Sequence, residues 1–216
     1  MVREINFKRH IAVLAIVSLV FIIGVFLGMR QGFDAVQVLG EEYESMAMSS
    51  AMIDSVFMME EIGMNASESC EAYTELFERF NSDISEFNHR MWEMEERLGK
   101  DNPSLLSLKD KFNTMEVRDY LLLKKMDREC GANHTAILYF YSNKNYDPER
   151  DQGKVLQETI DNNTIVYHFD TDISNPSVEM LIKHHMIFVA PSMVINDTVY
   201  SGYHNKDKLE QILGGN

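Results

Sequence analysis

Two cysteines, Cys70 and Cys130, are the only residues of this 216-residue chain that could carry thiol–disulfide chemistry. A catalytic thiol needs a low pKa, which proteins provide with a helix N-terminus or with basic neighbours. Cys70 instead lies between Glu68 and Glu71, and nearby carboxylates raise the pKa of a thiol. These neighbours favour a structural disulfide. An oxidoreductase that uses Cys70 and Cys130 as a redox pair, or Cys130 alone, stays an alternative.

Other residue types that often form metal or catalytic sites lack the necessary spacing. His184 and His185 are adjacent, so their side chains diverge, and no carboxylate or cysteine accompanies them at ligand spacing. Ser142 and Ser192 have no motif that supplies the His and Asp of a hydrolase triad. The sequence therefore predicts no metal, no cofactor and no hydrolase activity.

One apolar run without a charged residue extends from Ile11 to Met29. At ~1.5 Å per residue it would span about 28 Å as a helix, close to the ~30 Å hydrocarbon core of a bilayer. It exceeds the ~7–15-residue apolar region of a cleaved signal peptide, and no small-x-small cleavage site follows it. We therefore expect a transmembrane helix over residues 11–29, a signal-anchor that binds the lipid bilayer and makes a single-pass protein of the cell membrane.

Basic residues predict the orientation of this segment. Three of them precede the run and only Arg30 closely follows it, and the basic flank of a span stays cytoplasmic. Residues 1–10 are thus expected in the cytoplasm and the rest outside. Residues 31–216 carry 16 of the 20 basic and 33 of the 34 acidic side chains, a net charge of −17. Such a charge repels phosphate backbones and argues against a nucleic-acid partner.

Four Asn-x-Ser/Thr tripeptides lie in the region that we expect outside the cytoplasm. On an exported chain they are possible glycosylation sites, because this tripeptide is the acceptor motif. Their asparagines are Asn65, Asn133, Asn162 and Asn196.

Residues 34–130 show apolar side chains at alternating steps of three and four, which is typical of helices packed as in a coiled coil. The third of the three predicted helices is less regular, because Asp119 interrupts its apolar series. The pattern predicts a helical stalk or hairpin that either packs on itself or forms a homo-oligomer. Packing also explains the methionines of the first helix without a metal site or an adaptable groove; they are Met46, Met48, Met52, Met58 and Met59.

The lengths of the second and third helices bring the two cysteines together. The second helix is predicted from about Ser67 to Leu98 and the third from about Pro103 to Glu129, and the short turn between them makes them antiparallel. The helical arms from the turn to Cys70 and to Cys130 measure about 42 Å and 40 Å. Since adjacent helices lie ~8–10 Å apart, the cysteines can form an intramolecular disulfide at the open end of the hairpin.

After Gly131 the pattern changes to short strands and helices. The sequence predicts a strand, a helix with Asp147 as N-cap, a strand, a helix opened by Asn175-Pro176, two strands joined by an Asn-Asp turn, and a helix capped by Asn205 that stops before Gly214. The predicted ranges are 135–141, 148–161, 164–169, 175–184, 188–196, 198–203 and 205–213.

The stretch VAPSMVINDTVYSGY, from Val189 to Tyr203, resembles the cis-proline segment of thioredoxin-like proteins; Pro191, Asn196, Gly202 and Tyr203 match it. The stretches ILYFYS (137–142) and DQGKVL (151–156) resemble the first strand of that fold and the helix after its redox motif, as in membrane-anchored prokaryotic members of archaeal type. The resemblance implies an α/β thioredoxin-like domain (βαβαββα) over residues 134–214, preceded by the transmembrane helix and the coiled-coil-like hairpin.

The same resemblance places the family's redox cysteines at Tyr146 and Glu149, and no cysteine occurs from 131 to 216. It therefore implies a redox-inactive member whose groove beside Ala190, Pro191 and Ser192 binds extended polypeptide, so the expected partner is a protein or peptide. A purely structural coiled-coil surface protein is the remaining alternative.

Overall fold

The chain folds into three long helices followed by a small sheet with short helices on it. A computed structural model describes the backbone of residues 7–144, 147, 151–161 and 163–214, and of their side chains all but those of residues 7–10, 27 and 29–34. Tyr146, Glu149 and Asn162 lie outside the described residues. The elements are α1 (Phe7–Glu61), α2 (Ala66–Leu98), α3 (Pro103–Cys130), β1 (Thr135–Tyr141), α4 (Gln152–Thr159), β2 (Thr164–Asp170), α5 (Pro176–His185), β3 (Ser192–Ile195), β4 (Thr198–Ser201) and α6 (Lys206–Gly214).

Helix α1 joins the apolar run and the first helix of the predicted stalk into one element of 55 residues. Within the described residues, no helix offers an apolar stretch of the length and hydropathy that a membrane span requires. The described side chains of the apolar run cover residues 11–26, about 24 Å of helix against a ~30 Å hydrocarbon core. On this finding the prediction of a transmembrane, single-pass signal-anchor over residues 11–29 is wrong.

The predicted fold class is also wrong. We expected an α/β thioredoxin-like domain behind a membrane helix and a separate hairpin. The three long helices instead take 55, 33 and 28 residues, whereas the strands take 7, 7, 4 and 4. The protein is thus predominantly helical with a small mixed sheet.

The ends of α2 and α3 follow from capping residues, and the predicted ranges of these helices are confirmed to within one residue. The Asn65 side chain accepts a hydrogen bond of 3.0 Å from the N–H of Glu68 at the start of α2, and Asn102 caps α3 in the same way ahead of Pro103. Gly131 ends α3 with a φ of +69°, a left-handed conformation that glycine adopts without strain.

The sheet has the strand order β2-β1-β3-β4. Strand β1 runs parallel to β2 and antiparallel to β3, and β3 pairs with β4 in a hairpin. The turn of that hairpin consists of Asn196 and Asp197, both at positive φ, as the tight turns that suit twisted strands require.

Two predicted elements start later than the sequence pattern indicates. Helix α4 begins at Gln152 with Asp151 as its N-cap, four residues after the predicted start at Pro148. Strand β3 begins at Ser192, not at Phe188, because the Ala190–Pro191 peptide bond is cis and turns the chain just before the strand.

The two faces of the sheet pack against different helices. Leu138 and Phe140 on one face belong to the same buried cluster as Phe112 and Leu122 of α3. Ile137 lies on the opposite face of the sheet and packs with apolar side chains of α4 and α6. The long helices and the sheet therefore share a hydrophobic core.

Candidate functional site

The loop between α5 and β3 is the most exposed apolar surface of the C-terminal region. Helix α5 ends at His185, and its C-cap residue Met186 turns the chain with a φ of +54°. The buried Ile187 then anchors the loop through a 2.9 Å hydrogen bond from its N–H to the carbonyl of Ile182. The next two residues point outward: Phe188 is 89% exposed and Val189 51%. We call Met186, Phe188, Val189 and Ala190 the loop surface.

The cis-proline that follows holds the loop surface in place. The carbonyl of Pro191 accepts a 2.8 Å hydrogen bond from the N–H of Gly202. The hydroxyl of the fully buried Ser192 donates to the carbonyl of Val189 at 2.6 Å. The apolar side chains are therefore presented by a backbone that is already fixed, so little conformational entropy is lost on binding.

The backbone of the loop surface is also open to a partner. The peptide groups of Phe188 and Ala190 make no hydrogen bond to any described residue. Backbone N–H and C=O groups are strong hydrogen-bonding groups, and here they stand beside exposed apolar side chains. This combination is what an extended peptide needs for backbone pairing and side-chain contact.

A carboxylate side chain caps the start of α4. Asp151 caps the helix and accepts a hydrogen bond of 3.2 Å from the N–H of Lys154. The next residue, Gln152, is buried, and its side-chain oxygen accepts a 2.7 Å hydrogen bond from the N–H of His204. Tyr146 and Glu149, the expected positions of the family's cysteines, lie outside the described residues.

The structure joins Cys70 and Cys130 in a disulfide with a Cα–Cα distance of 5.6 Å, as the equal helix arms predict. Strand β1 starts at Thr135, next to this disulfide in the chain, whereas its residue Phe140 pairs with Ser192 beside the cis-proline. Five residues of strand, about 17 Å, separate these points. The disulfide therefore precedes the start of β1 in the chain, whereas Ser192 and the cis-proline before it lie near the end of that strand.

The remaining predicted polar residues have structural contacts. The hydroxyl of Ser142 donates to the carboxylate of Asp172, and His185 is buried at the end of α5 beside the exposed ring of His184. In the part of the chain that the structure describes, no three His, Cys, Asp or Glu side chains are placed to hold a metal ion.

Three of the four sequon asparagines are described, and all three are exposed: Asn65, Asn133 and Asn196. The oxygen of the Asn65 side chain is already used as a helix cap, and Asn196 lies in the β3–β4 turn. Exposure makes them accessible to a modifying enzyme.

A group of polar side chains that the sequence did not lead us to expect lies buried between α3 and the sheet. Lys109, Asn113, Glu116 and Asp119 follow one side of α3 at helical steps of three and four, and each is at most 5% exposed. We call these four residues the buried seam. The only sign of it in the sequence is Asp119, which interrupts the apolar series of the third helix.

Lys109 connects three elements. Its ammonium group lies 2.5 Å from a carboxylate oxygen of Glu95 on α2 and 3.0 Å from one of Asp170 on β2. Burial alone would lower the pKa of Lys109, but Tyr141, Glu95 and Asp170 outweigh it and raise that pKa. Lys109 is therefore a charged group held between two buried carboxylates.

The carboxyl groups of the buried seam lack such a cation. Glu116 accepts hydrogen bonds from Asn88 at 3.0 Å and from the N–H of His168 at 3.1 Å, yet burial raises its pKa to about 8. Asp119 accepts one from the hydroxyl of Tyr167 at 2.8 Å, and burial raises its pKa to about 7. Burial likewise lowers the pKa of His168 to about 4. Burial thus favours the neutral forms of Glu116, Asp119 and His168, whereas Lys109 stays charged.

No protein-family model matches this chain, and neither a curated protein nor a solved structure is similar to it. The likeness of residues 189–203 to thioredoxin-like proteins therefore rests on the quoted residues alone. The function has to be argued from the geometry described above.

Proposed function

We propose that this protein is a polypeptide-binding module that carries out no thiol–disulfide chemistry. The observation that carries this proposal is the loop surface, where exposed apolar side chains and open backbone groups stand on a fixed cis-proline turn. An extended segment of a partner would pair with the backbone at Ala190 and place an apolar side chain against Phe188.

The kinship with thioredoxin-like proteins is part of the proposal. Its support is the likeness of the stretch from Val189 to Tyr203 to the cis-proline segment of that family, together with the hydrogen bond from Gly202 to Pro191. Such a kinship would make the loop surface the place where relatives contact a polypeptide. We propose no catalytic residue on it, because the only two cysteines of the chain are joined to each other in a disulfide.

We also propose that the folded region works outside the cytoplasm. The support is the Cys70–Cys130 disulfide, since disulfides persist in oxidising compartments and are rare in the cytosol. The acidic balance of residues 31–216 fits a protein partner, not a nucleic acid.

The proposal is tested with a fluorescent peptide of alternating Val and Ser residues and a central proline, which cannot form a helix. We expect the full chain to bind it and Phe188→Ser to weaken binding at least tenfold, because most of the apolar contact is lost. Fluorescence anisotropy measures the dissociation constants.

The matched control is Met180→Ser, since Met180 is an exposed apolar residue of the neighbouring helix α5. It should bind the peptide as the natural chain does. Equal binding by the Phe188→Ser chain, or equal loss in both variants, would show that the loop surface is not the binding site.

A further inference from the structure

The outer face of α1 carries a second apolar surface that no other described element covers. Met48, Met52 and Met59 lie at steps of four and seven and share one side of α1, and Ile62, the residue directly after the helix, follows at a step of three. Their exposed fractions are 71%, 46%, 49% and 86%. We call these four residues the methionine face.

The opposite side of α1 has an apolar series of its own, which explains why the methionine face remains uncovered. Leu39, Met46 and Ile53 are buried in the core that α1 shares with α2 and α3. Packing within the molecule therefore requires only that inner side. A surface helix normally turns charged residues outward, so four large apolar side chains on the outer side need another explanation.

The charges beside the methionine face have a single sign. From residue 35 to residue 62, α1 and the residue after it contain six carboxylates and neither lysine nor arginine. Three of the six pair with cations of α2 and α3: Glu42 with Arg90, Asp54 with Arg118, and Glu60 with Lys125.

The other three carboxylates, on Glu41, Glu44 and Glu61, are exposed. They make no ion pair with the described residues. Glu44 and Glu41 lie on the same side of α1 as Met48, about one turn and about two turns before it along the helix. Along the outer side of α1, acidic side chains without an ion pair to the described residues therefore precede the apolar methionine face.

We propose that the methionine face, together with Glu41 and Glu44, docks a basic amphipathic helix of a partner protein. Methionine side chains are flexible and adapt to varied apolar partners, and a helix with an apolar face is bound through residues at steps of three and four. Lysine or arginine beside that face would pair with Glu41 and Glu44. A second copy of this chain is a poor occupant, because two acidic α1 helices would repel each other.

The test uses two labelled peptides of 18 residues with leucine at the same helical positions, one with lysine and the other with glutamate elsewhere. The full chain, at a concentration where light scattering shows it to be monodisperse, should bind the lysine peptide at least tenfold more tightly than the glutamate peptide. Added salt should narrow this difference, since it screens the exposed carboxylates.

Variants locate the binding on α1. Met52→Gln with Met59→Gln should weaken lysine-peptide binding at least tenfold, and Glu41→Gln with Glu44→Gln should weaken it and reduce its salt dependence. Met180→Gln replaces an exposed methionine on α5; it is the matched control and should have no effect. Phe188→Ser should also have no effect, which separates this surface from the loop surface.

Three results would overturn the proposal. The first is equal binding of the two peptides, and the second is unchanged binding by the double methionine variant. The third is self-association of the natural chain that the methionine variant abolishes, because the face would then be an interface between copies.

Discussion

At the scale of single residues, burial determines the charge of Glu116. Its carboxyl group is fully buried and receives hydrogen bonds only at one oxygen, from Asn88 and from the backbone of His168. An ionised carboxylate in such a place costs several kcal/mol unless a cation pairs with it. The pKa of about 8 therefore means that Glu116 is largely protonated at neutral pH.

The raised pKa of Glu116 predicts that the free energy of unfolding decreases as the pH rises. An acid whose pKa is higher in the folded state binds more protons there, so folding is favoured below the unfolded-state value near 4.5 and loses this contribution up to pH 8. Asp119 contributes in the same direction up to about pH 7. His168 acts in the opposite direction, but only below its ordinary value of 6.5.

The cleanest interval is therefore pH 6.5 to 8, where we expect the natural chain to lose on the order of 2 kcal/mol of stability. Glu116→Gln keeps the shape and the accepted hydrogen bonds but cannot ionise, so most of this loss should disappear. Urea unfolding at a series of pH values measures it. Glu96→Gln, on the exposed side of α2, is the control, and a Glu116→Gln chain with the full pH dependence would contradict the interpretation.

At the scale of elements, Lys109 on α3 links α2 to β2 through Glu95 and Asp170. Lys109→Met keeps the apolar stem but leaves two buried carboxylates without their cation, and breaking a buried ion pair in this way costs about 3 to 5 kcal/mol. The free energy of unfolding in urea measures the loss. Lys124→Met is the matched control, because Lys124 pairs with Asp197 at the surface and such pairs contribute at most about 1 kcal/mol.

Adding Glu95→Gln and Asp170→Asn to the Lys109→Met chain should restore part of the stability, since no unpaired charge then remains. A Lys109→Met chain as stable as the Lys124→Met control would show that the buried link does not hold these elements together.

The sequence predicts an element well where local chemistry determines it. Asn65 and Asn102 stand before regular apolar series, so the ends of α2 and α3 and the meeting of the two cysteines could be derived from the residue pattern. Phe188 and Val189 have strand-forming side chains, yet strand β3 begins only at Ser192 and both side chains are exposed. The sequence could not show this, because the neighbouring backbone and not the residue type decides it.

The buried seam escaped prediction for a related reason. Lys109 and Glu116 are residue types that usually face solvent, and they follow the helical period of an ordinary charged side. Only the position of β2 against α3 makes that side an interior one. Asp119 alone broke the apolar pattern, and one polar residue in a helix does not indicate a buried polar network.

At the scale of the whole molecule, the helices and the sheet depend on one another. Tyr167 of β2 packs edge-on against Tyr120 of α3 at a ring distance of 5.8 Å, and Phe140 and Phe169 belong to the buried cluster that includes Phe112. Without the helices, the side chains of Tyr167, Phe140 and Phe169 would become largely exposed to solvent. At about 2 kcal/mol for each large side chain, the loss of roughly 6 kcal/mol is comparable with the entire stability of many domains.

We therefore predict that the helices and the sheet unfold together, and that residues 133–216 do not fold stably alone. In urea, the loss of far-UV circular dichroism, which the three long helices dominate, should coincide with the loss of hydrogen-exchange protection in β1 and β3. A single midpoint for both signals is expected because the shared core cannot open on one side only. If β1 and β3 stay protected where the helices have unfolded, or if the isolated segment keeps that protection, then the sheet is an independent domain and the helices are only attached to it.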